Sequence, residues 1–483
     1  MNEKMPASGS RLSWALGRTD IFALGFGTMV GWAWIVVVPG WISSAGFAGT
    51  LIAYGVGVAV IFLIGLAYSE LTAALPRSGG EMVFAYRALG LPFGWVTGWM
   101  MVLAYLSVAI WEGIAFATAL DYLLPIPDWV YLWDAAGEPV YLSWVLTAAG
   151  GGLLMMLLNL FGTRPATIFQ IMATIVILLI AFLFFFGGVS LGSLSNIGPA
   201  LTNPRGCFFV MITIPPMFVG FDIIPQLSGE MNVSRRRIGG MTLMCIAFSA
   251  CWYLMVIIGT ALGAPAEVRT GGSTPAADAM AYLFGNDRFA EVLIVIGLLG
   301  VLTSWNGFFM GATRLLRAMG QARMLPSIFG YTGRRFRTPW AATLIVGGLC
   351  MAAPLLGEKV LEWMIGVNTV STMFTYCCVT LSLVILRLRE PGLARPFRIG
   401  RGLGAPLVIC GVTLLYAVIY IIYALTGGEY SEAVFGIILW FLFGLFLFLP
   451  GLPAQTRISP EERERLIFGE EFARMPQRKE TRR

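Results

Sequence analysis

Apolar and polar positions divide this chain into long blocks rather than the short alternations that make strands. About twelve apolar runs are long enough to cross roughly 30 Å of hydrocarbon. They lie near 19–41, 49–75, 91–124, 140–162, 165–189, 207–229, 240–263, 289–313, 339–356, 361–386, 404–426 and 433–451. Each run predicts a membrane-spanning helix, because a helix satisfies its backbone groups internally where no water is at hand. The fold class expected is an all-α polytopic membrane protein.

Two runs are poorly written as helices. The first reads GFGTMVGWAWIVVVPGW, Gly25 to Trp41; the sixth reads FFVMITIPPMFVGFDIIPQLSGE and holds Pro215, Pro216, Gly220, Asp222 and Pro225. Proline removes a backbone donor and glycine admits non-helical dihedrals. In hydrocarbon such interruptions persist only where protein encloses the freed backbone groups or a cavity accepts them. With breaks at positions one and six, the first ten spans form two sets of five, and an odd number per set gives the sets opposite orientation. The pattern predicts a secondary transporter built as an inverted repeat, with its site near the membrane midplane. A simpler alternative makes Gly25, Gly27 and Gly31 a small-residue face for helix packing. The carboxylate inside the second break favours the transporter.

The expected organisation is a cytoplasmic tail over 1–18, a first repeat over 19–189 and a second over 190–386. Residues 387–451 bring a basic loop and two appended spans, and 452–483 form a charged cytoplasmic tail with room for one amphipathic helix.

Composition adds boundaries. Of 483 residues, 58% are hydrophobic and only 12% charged, with mean hydropathy +0.80, against about 25% charged in soluble domains. The net charge of +6 does not point to nucleic acid, because the basic residues fall in alternate loops. Arg77 and Arg87 follow the second run, Arg235 to Arg237 the sixth, Arg334, Arg335 and Arg337 the eighth, and Arg387, Arg389, Arg395 and Arg398 the tenth. Between runs three and four stand Asp121, Asp128, Asp134 and Glu138 without a lysine or arginine. Positive loops stay inside, so both termini are expected in the cytoplasm and the protein in the plasma (inner) membrane. The first eighteen residues are polar and the first apolar run is too long for a signal peptide. There is no histidine, and the seven cysteines lie in or beside spans without a Cys-x-x-Cys. No metal, cofactor, structural disulfide or enzymatic activity is expected. The partners expected are a small-molecule substrate and lipid, with the chain a monomer or homodimer.

Four motifs occur in order. They are YSELTAALPRSGGEMVFAYRALG after run two, FVGFD (Phe218 to Asp222) in run six, SWNGFFMGATRLLRAMGQARMLPSIFG ending in RTPW from run eight, and LRLREPGLARPFRIG after run ten. Together they resemble the amino acid–polyamine–organocation superfamily of permeases. The resemblance implies the leucine-transporter-type fold with two appended spans, alternating access, and a substrate held between spans one, three, six, eight and ten. It implies amino acids, polyamines or related organocations as cargo, driven by protons, by sodium or by exchange. The substrate-binding residues expected are Thr28, Met29, Gly31, Trp32, Ala33, Tyr105, Glu112, Phe218, Val219, Phe308 and Asn368.

At the first break, amino acid carriers of that superfamily have Gly-Ser-Gly; here the triplet is Gly31, Trp32, Ala33, bulkier where a substrate carboxylate would sit. Glu112 in run three costs at least ~2.5–3.5 kcal/mol as a membrane charge and is a functional candidate on that ground. The resemblance places it where cationic-substrate exchangers line the distal pocket, and places Asp222 at an acidic position of proton coupling. Trp32, with Trp34 as a further candidate, would complete a cage for an organic cation; Trp41, near a helix end, reads as a packing or interface residue. The plainer alternatives are a structural hydrogen bond for Glu112, a helix cap for Asp222 and an inter-helix bond for Asn368. Glu70 is expected to organise an intracellular gate with basic loop residues. The span-five lysine of some proton-type relatives falls near Ile177, and Thr303 with Ser304 could supply a sodium site. The driving ion favoured is the proton, with sodium as the alternative. The function expected is import or exchange of a small amine or cationic amino acid. A neutral amino acid permease, with Glu112 handling protons only, is the alternative. A scaffold or receptor would have no need of paired breaks.

Overall fold

The computed structural model describes residues 16–135, 137–271, 274–333, 335–427, 431–449 and 458–469. The expected terminal tails therefore lie mostly outside the described residues, the first from its start to residue 15 and the second except for 458–469.

The first span is two helices, α1 (Arg18–Met29) and α2 (Trp34–Ala45), bent by 55° across Val30 to Ala33. Next come α3 (Phe47–Ala74), the short α4 (Gly80–Leu89), α5 (Leu91–Leu123), α6 (Leu142–Leu160) and α7 (Thr163–Leu191). The sixth run is also divided. α8 (Pro204–Met217) ends just beyond Pro215 and Pro216, and α9 (Ile223–Leu227) begins after a five-residue interruption. α10 (Arg235–Gly263) is followed by two loop helices, α11 (Ala266–Thr270) and α12 (Pro275–Phe284). The remaining helices are α13 (Arg288–Gln321), α14 (Trp340–Ala352), α15 (Val360–Arg389), α16 (Gly404–Gly427), α17 (Ser431–Phe448) and α18 (Pro460–Phe468). Among the described residues, eight single helices and the bent pair are long and apolar enough to cross a membrane, while α14 and α17 are shorter apolar helices.

Helix packing follows the arithmetic of two five-span halves. Span three packs on span eight, two on seven and four on nine, each on its own counterpart. Three further pairs of contacts exchange with the halves: three on ten with eight on five, five on seven with ten on two, two on six with seven on one. The innermost helices are α5, α13 and α15, whereas α7 turns Ile168, Met172, Ile175, Leu179, Phe182 and Phe186 outward at helical spacing. Its opposite face buries Ala173, Ile177, Ile180 and Phe184. Lipid is as apolar as leucine, so the outward stripe carries no penalty in a bilayer.

One element was not legible in the chain. The acidic segment between α5 and α6 forms an antiparallel hairpin, β1 (Tyr131–Ala135) and β2 (Glu138–Tyr141). A lone hairpin is marginal in water; here Trp133 Nε1 donates to the Leu355 carbonyl at 3.0 Å, and Glu138 lies 3.7 Å from Lys359 Nζ. The support comes from a loop more than two hundred residues away.

Candidate functional site

The two breaks touch each other. Gly220 has φ +132°, and a Cβ there would lie 3.0 Å from the Met29 nitrogen and 2.9 Å from Thr28 Cγ2. Both the dihedral and the contact require glycine. Thr28 Oγ1 donates to the Leu24 carbonyl at 2.5 Å, and the side chain fills the notch that Gly307 leaves in α13. Met29 offers its freed carbonyl to Tyr253 Oη at 3.1 Å. The Val30 and Gly31 carbonyls lie against Gly300, where a Cβ would come within 3.1 and 2.9 Å of them. Helix α13 thus closes on the unwound backbone, as hydrocarbon depth demands.

Glu112 reaches into the first break from α5. It is only 1% exposed, and its Oε1 would lie 2.7 Å from a Cβ placed on Gly31. Ser304 of α13 completes this corner: its Oγ would be 3.2 Å from the same Cβ, and its hydroxyl hydrogen-bonds Glu112. Glu112 Oε2 is buried without a hydrogen-bond partner among the described residues. Gly31 therefore has no side chain where the carboxyl group needs room. Trp32 and Ala33 are half-buried, the Trp32 ring lying over Gly297 of α13 beside Ile35. Trp34 is a packing residue, edge-on to Trp252 at 5.1 Å. Trp41 is a packing residue: it is fully buried, with its carbonyl accepting from Thr50 Oγ1 at 3.0 Å.

Asp222 lies at the second break. It occupies the residue before α9 but makes no capping bond, so the cap reading fails. Its Oδ2 instead accepts from Tyr376 Oη of α15 at 2.7 Å. Tyr105 stands close enough to interact with Asp222 and packs its ring 6.0 Å from Phe308. Phe218 packs against Tyr253 at 5.4 Å and Tyr54 at 6.5 Å, with Val219 buried beside it. Asn368 takes its plainer role, since Nδ2 donates to the Ala104 carbonyl at 2.9 Å and ties α15 to α5.

Span five differs from expectation. Ile177 faces α10, its carbonyl accepting from Trp252 Nε1 at 2.9 Å. The side chains that meet α1 are Gln170 and Thr174, both donating to the Ala23 carbonyl at 3.3 Å. Gln170 also donates to the Thr303 carbonyl at 3.2 Å and accepts from Asn306 Nδ2 at 3.0 Å, and Asn159 donates to Asn306 at 3.1 Å. Thr303 turns its hydroxyl to the Gly300 carbonyl of its own helix at 2.9 Å. An uncharged amide chain thus joins spans one, four, five and eight. Its sequence signal was available: polar amides at a depth where leucine is otherwise usual.

On the face that carries the basic loops, Glu70 is gripped from several sides. Arg387 approaches with two nitrogens at 2.6 Å, Arg395 Nε lies at 3.3 Å, and the Ile399 N–H donates at 2.8 Å. Arg314 pairs with Glu230 at 3.2 Å and Arg87 with Glu390 at 2.8 Å. Leu16 is zipped to this layer by backbone bonds of 2.9 Å to Glu230 and Asn232.

The family model for amino acid permeases matches residues 16–454. The chain belongs to this family. It is 24% identical to a methylthioribose transporter of Bacillus subtilis (strain 168), over 84% of this chain and 88% of that one. It is 22% identical to a branched-chain amino acid permease of the same organism, over 90% and 92%. With a human cationic amino acid transporter it shares 24% identity, over 81% of this chain and 63% of the other. The permease is accordingly a multi-pass membrane protein and a secondary transporter, not an enzyme. Relatives whose names specify a thio-sugar, branched-chain and cationic amino acids show that membership alone does not choose the cargo.

Proposed function

We propose that this permease moves a small organic amine or a cationic amino acid by alternating access. The carrying observation is Glu112: a buried carboxyl group at the unwound part of span one, with one oxygen unpartnered among the described residues. Such a group needs a compensating ligand, and an ammonium supplies charge and donors together. Trp32 stands at the same break, and Thr28, Met29, Gly31, Ala33, Phe218, Val219 and Phe308 supply backbone and walls from spans one, six and eight. Asp222, with Tyr376 and Tyr105, is the coupling candidate, and proton coupling or exchange is the mode we favour. Sodium coupling is the alternative: Thr303 donates its hydroxyl hydrogen to the Gly300 carbonyl of its own helix, which leaves its oxygen lone pairs, with those of Ser304, to a cation. The alternating basic loops argue for both termini in the cytoplasm and Glu70 at the inner gate.

A second reading has its own support. Glu112 already bonds Ser304, and one relative carries branched-chain amino acids by name; a neutral amino acid permease would then use Glu112 for protons alone. A thermal-shift screen of the purified protein in detergent separates the two, since a ligand of the folded state stabilises it by RT ln(1 + [L]/Kd). Ethanolamine, putrescine, agmatine, choline and cationic amino acids are compared with neutral ones. The expected outcome is stabilisation by cations that falls at least ~10-fold in apparent affinity, about 1.4 kcal/mol, in Glu112→Gln. Stabilisation by neutral amino acids alone, unchanged in that variant, sinks the cation reading.

A further inference from the structure

Between the second break and the basic-loop face lies a buried acid that the transport reading above does not use. Glu81 opens α4, just after the Ser78-Gly79-Gly80 turn, and is fully buried. Its Oε2 accepts from Gln226 Nε2, and Gln226 stands one helical turn beyond Asp222, in α9. The contact is built in: at Gly80, with φ +30°, a Cβ would meet Pro225 Cβ at 2.7 Å and Gln226 Nε2 at 3.1 Å. Tyr68 stands at Glu81 and Tyr105 at Asp222, and one buried oxygen of each acid, Oε1 of Glu81 and Oδ1 of Asp222, has no well-formed hydrogen bond among the described residues. The charge of Asp222 reaches Glu81, Tyr376 Oη bonds Asp222, and the hydroxyls of Tyr68 and Tyr105 interact with both acids.

None of the buried arginines on this face acts on Glu81 or Asp222. Arg314 of α13 is held by Glu230, and Arg317 faces both of these; Arg87 of α4 pairs with Glu390 and Glu464; Arg387 of α15 pairs with Glu70. Nothing among the described residues therefore neutralises two negative charges at Glu81 and Asp222. Burial, reinforced by the charge of Asp222, holds the Glu81 carboxyl well above the usual carboxylate range. Two interacting buried carboxyls take up their protons as a pair.

We propose that Glu81 is the inner proton partner of Asp222, sharing a proton with it while α4 and α9 are in contact and releasing it to the basic-loop side when they part. In the transfer an O–H bond of Asp222 breaks and one forms on Glu81, leaving the negative charge on Asp222. When α4 and α9 separate, the Glu81 O–H bond breaks, water takes the proton, and Glu81 becomes the carboxylate. This rests on the proton-coupled arm of the proposed function and adds the residue that hands the proton on.

Two measurements test it. In proteoliposomes, radiolabelled putrescine, lysine and leucine are followed in exchange mode and under an imposed pH gradient. Glu81→Gln is expected to lower gradient-driven accumulation at least ten-fold more than it lowers exchange, with Glu81→Asp restoring accumulation at a shifted pH profile. Asp222→Asn combined with Glu81→Gln should be no worse than the more impaired single variant. Equal loss of both modes, or a Glu81→Gln protein that accumulates with the wild-type pH profile, overturns the proposal and leaves the transport reading standing. A wild-type protein that exchanges but ignores the pH gradient overturns the coupling reading and this proposal together. The second measurement needs no substrate. The infrared carbonyl band of protonated carboxylic acids in the purified protein should lose a component in Glu81→Gln and change its course with pH. A band and pH course identical to wild type overturn the proposal whatever the cargo.

Discussion

At the residue scale, the site is made by what is left out. Gly31 and Gly220 hold no side chain because Glu112 and the span-one backbone occupy that space. Gly220→Ala adds strain at a positive φ of about 1–3 kcal/mol and drives a methyl group toward the Met29 nitrogen, 3.0 Å away. It is expected to lower the thermal midpoint and to abolish transport, read by scanning fluorimetry and vesicle uptake. Gly31→Ala is expected to spare folding more and to weaken ligand binding at least ~10-fold, because its Cβ displaces the Glu112 carboxyl group. Equal ligand affinity in Gly31→Ala would remove Glu112 from the site. The glycines and acids were all visible in the chain; their adjacency was not, since Gly31, Glu112 and Ser304 come from three distant spans.

At the scale of elements, the basic loop after span ten is folded around one acid. Glu70 takes Arg387, Arg395 and the Ile399 N–H together, and all three side chains are buried. Glu70→Ala leaves buried guanidinium charge uncompensated, a loss of about 3–5 kcal/mol for a broken buried pair. A large fall in thermal midpoint with faster proteolysis between Leu386 and Arg401 is expected; unchanged stability would mean the loop is held by other contacts. The motif LRLREPGLARPFRIG announced this loop, because so many arginines near a span end need an anion or water. The hairpin β1–β2 and the amide chain through Gln170 were missed. Each depends on partners far along the chain, which periodicity does not register.

At the scale of the molecule, α18 lies against the basic-loop face. Glu464 pairs with Arg87 at 3.1 Å, Arg77 donates to the Phe468 carbonyl, and the Arg87 guanidinium stands 5.6 Å above the buried Phe468 ring. Expected from the chain only as a charged appendage with room for a helix, this segment reaches α4, the helix that carries Glu81. Deleting residues 459–483 is expected to expose Arg77 and Arg87 to trypsin several-fold sooner in inside-out vesicles, and not in right-side-out ones. Cleavage in the opposite orientation would reverse the topology read from the loop charges.

The sequence by itself determined the spans, their two interruptions and the family, because hydropathy, proline and glycine act locally and the motifs are contiguous. Tertiary structure alone brought Glu112 to the first break and decided what each acid meets. Asp222 became a partner of Tyr376 rather than a cap, Asn368 a tie between helices and Trp41 a core residue. Helix rotation and crossing fix these outcomes: a helix presents one face in three or four residues, and only packing against the other half of the repeat chooses which face looks inward.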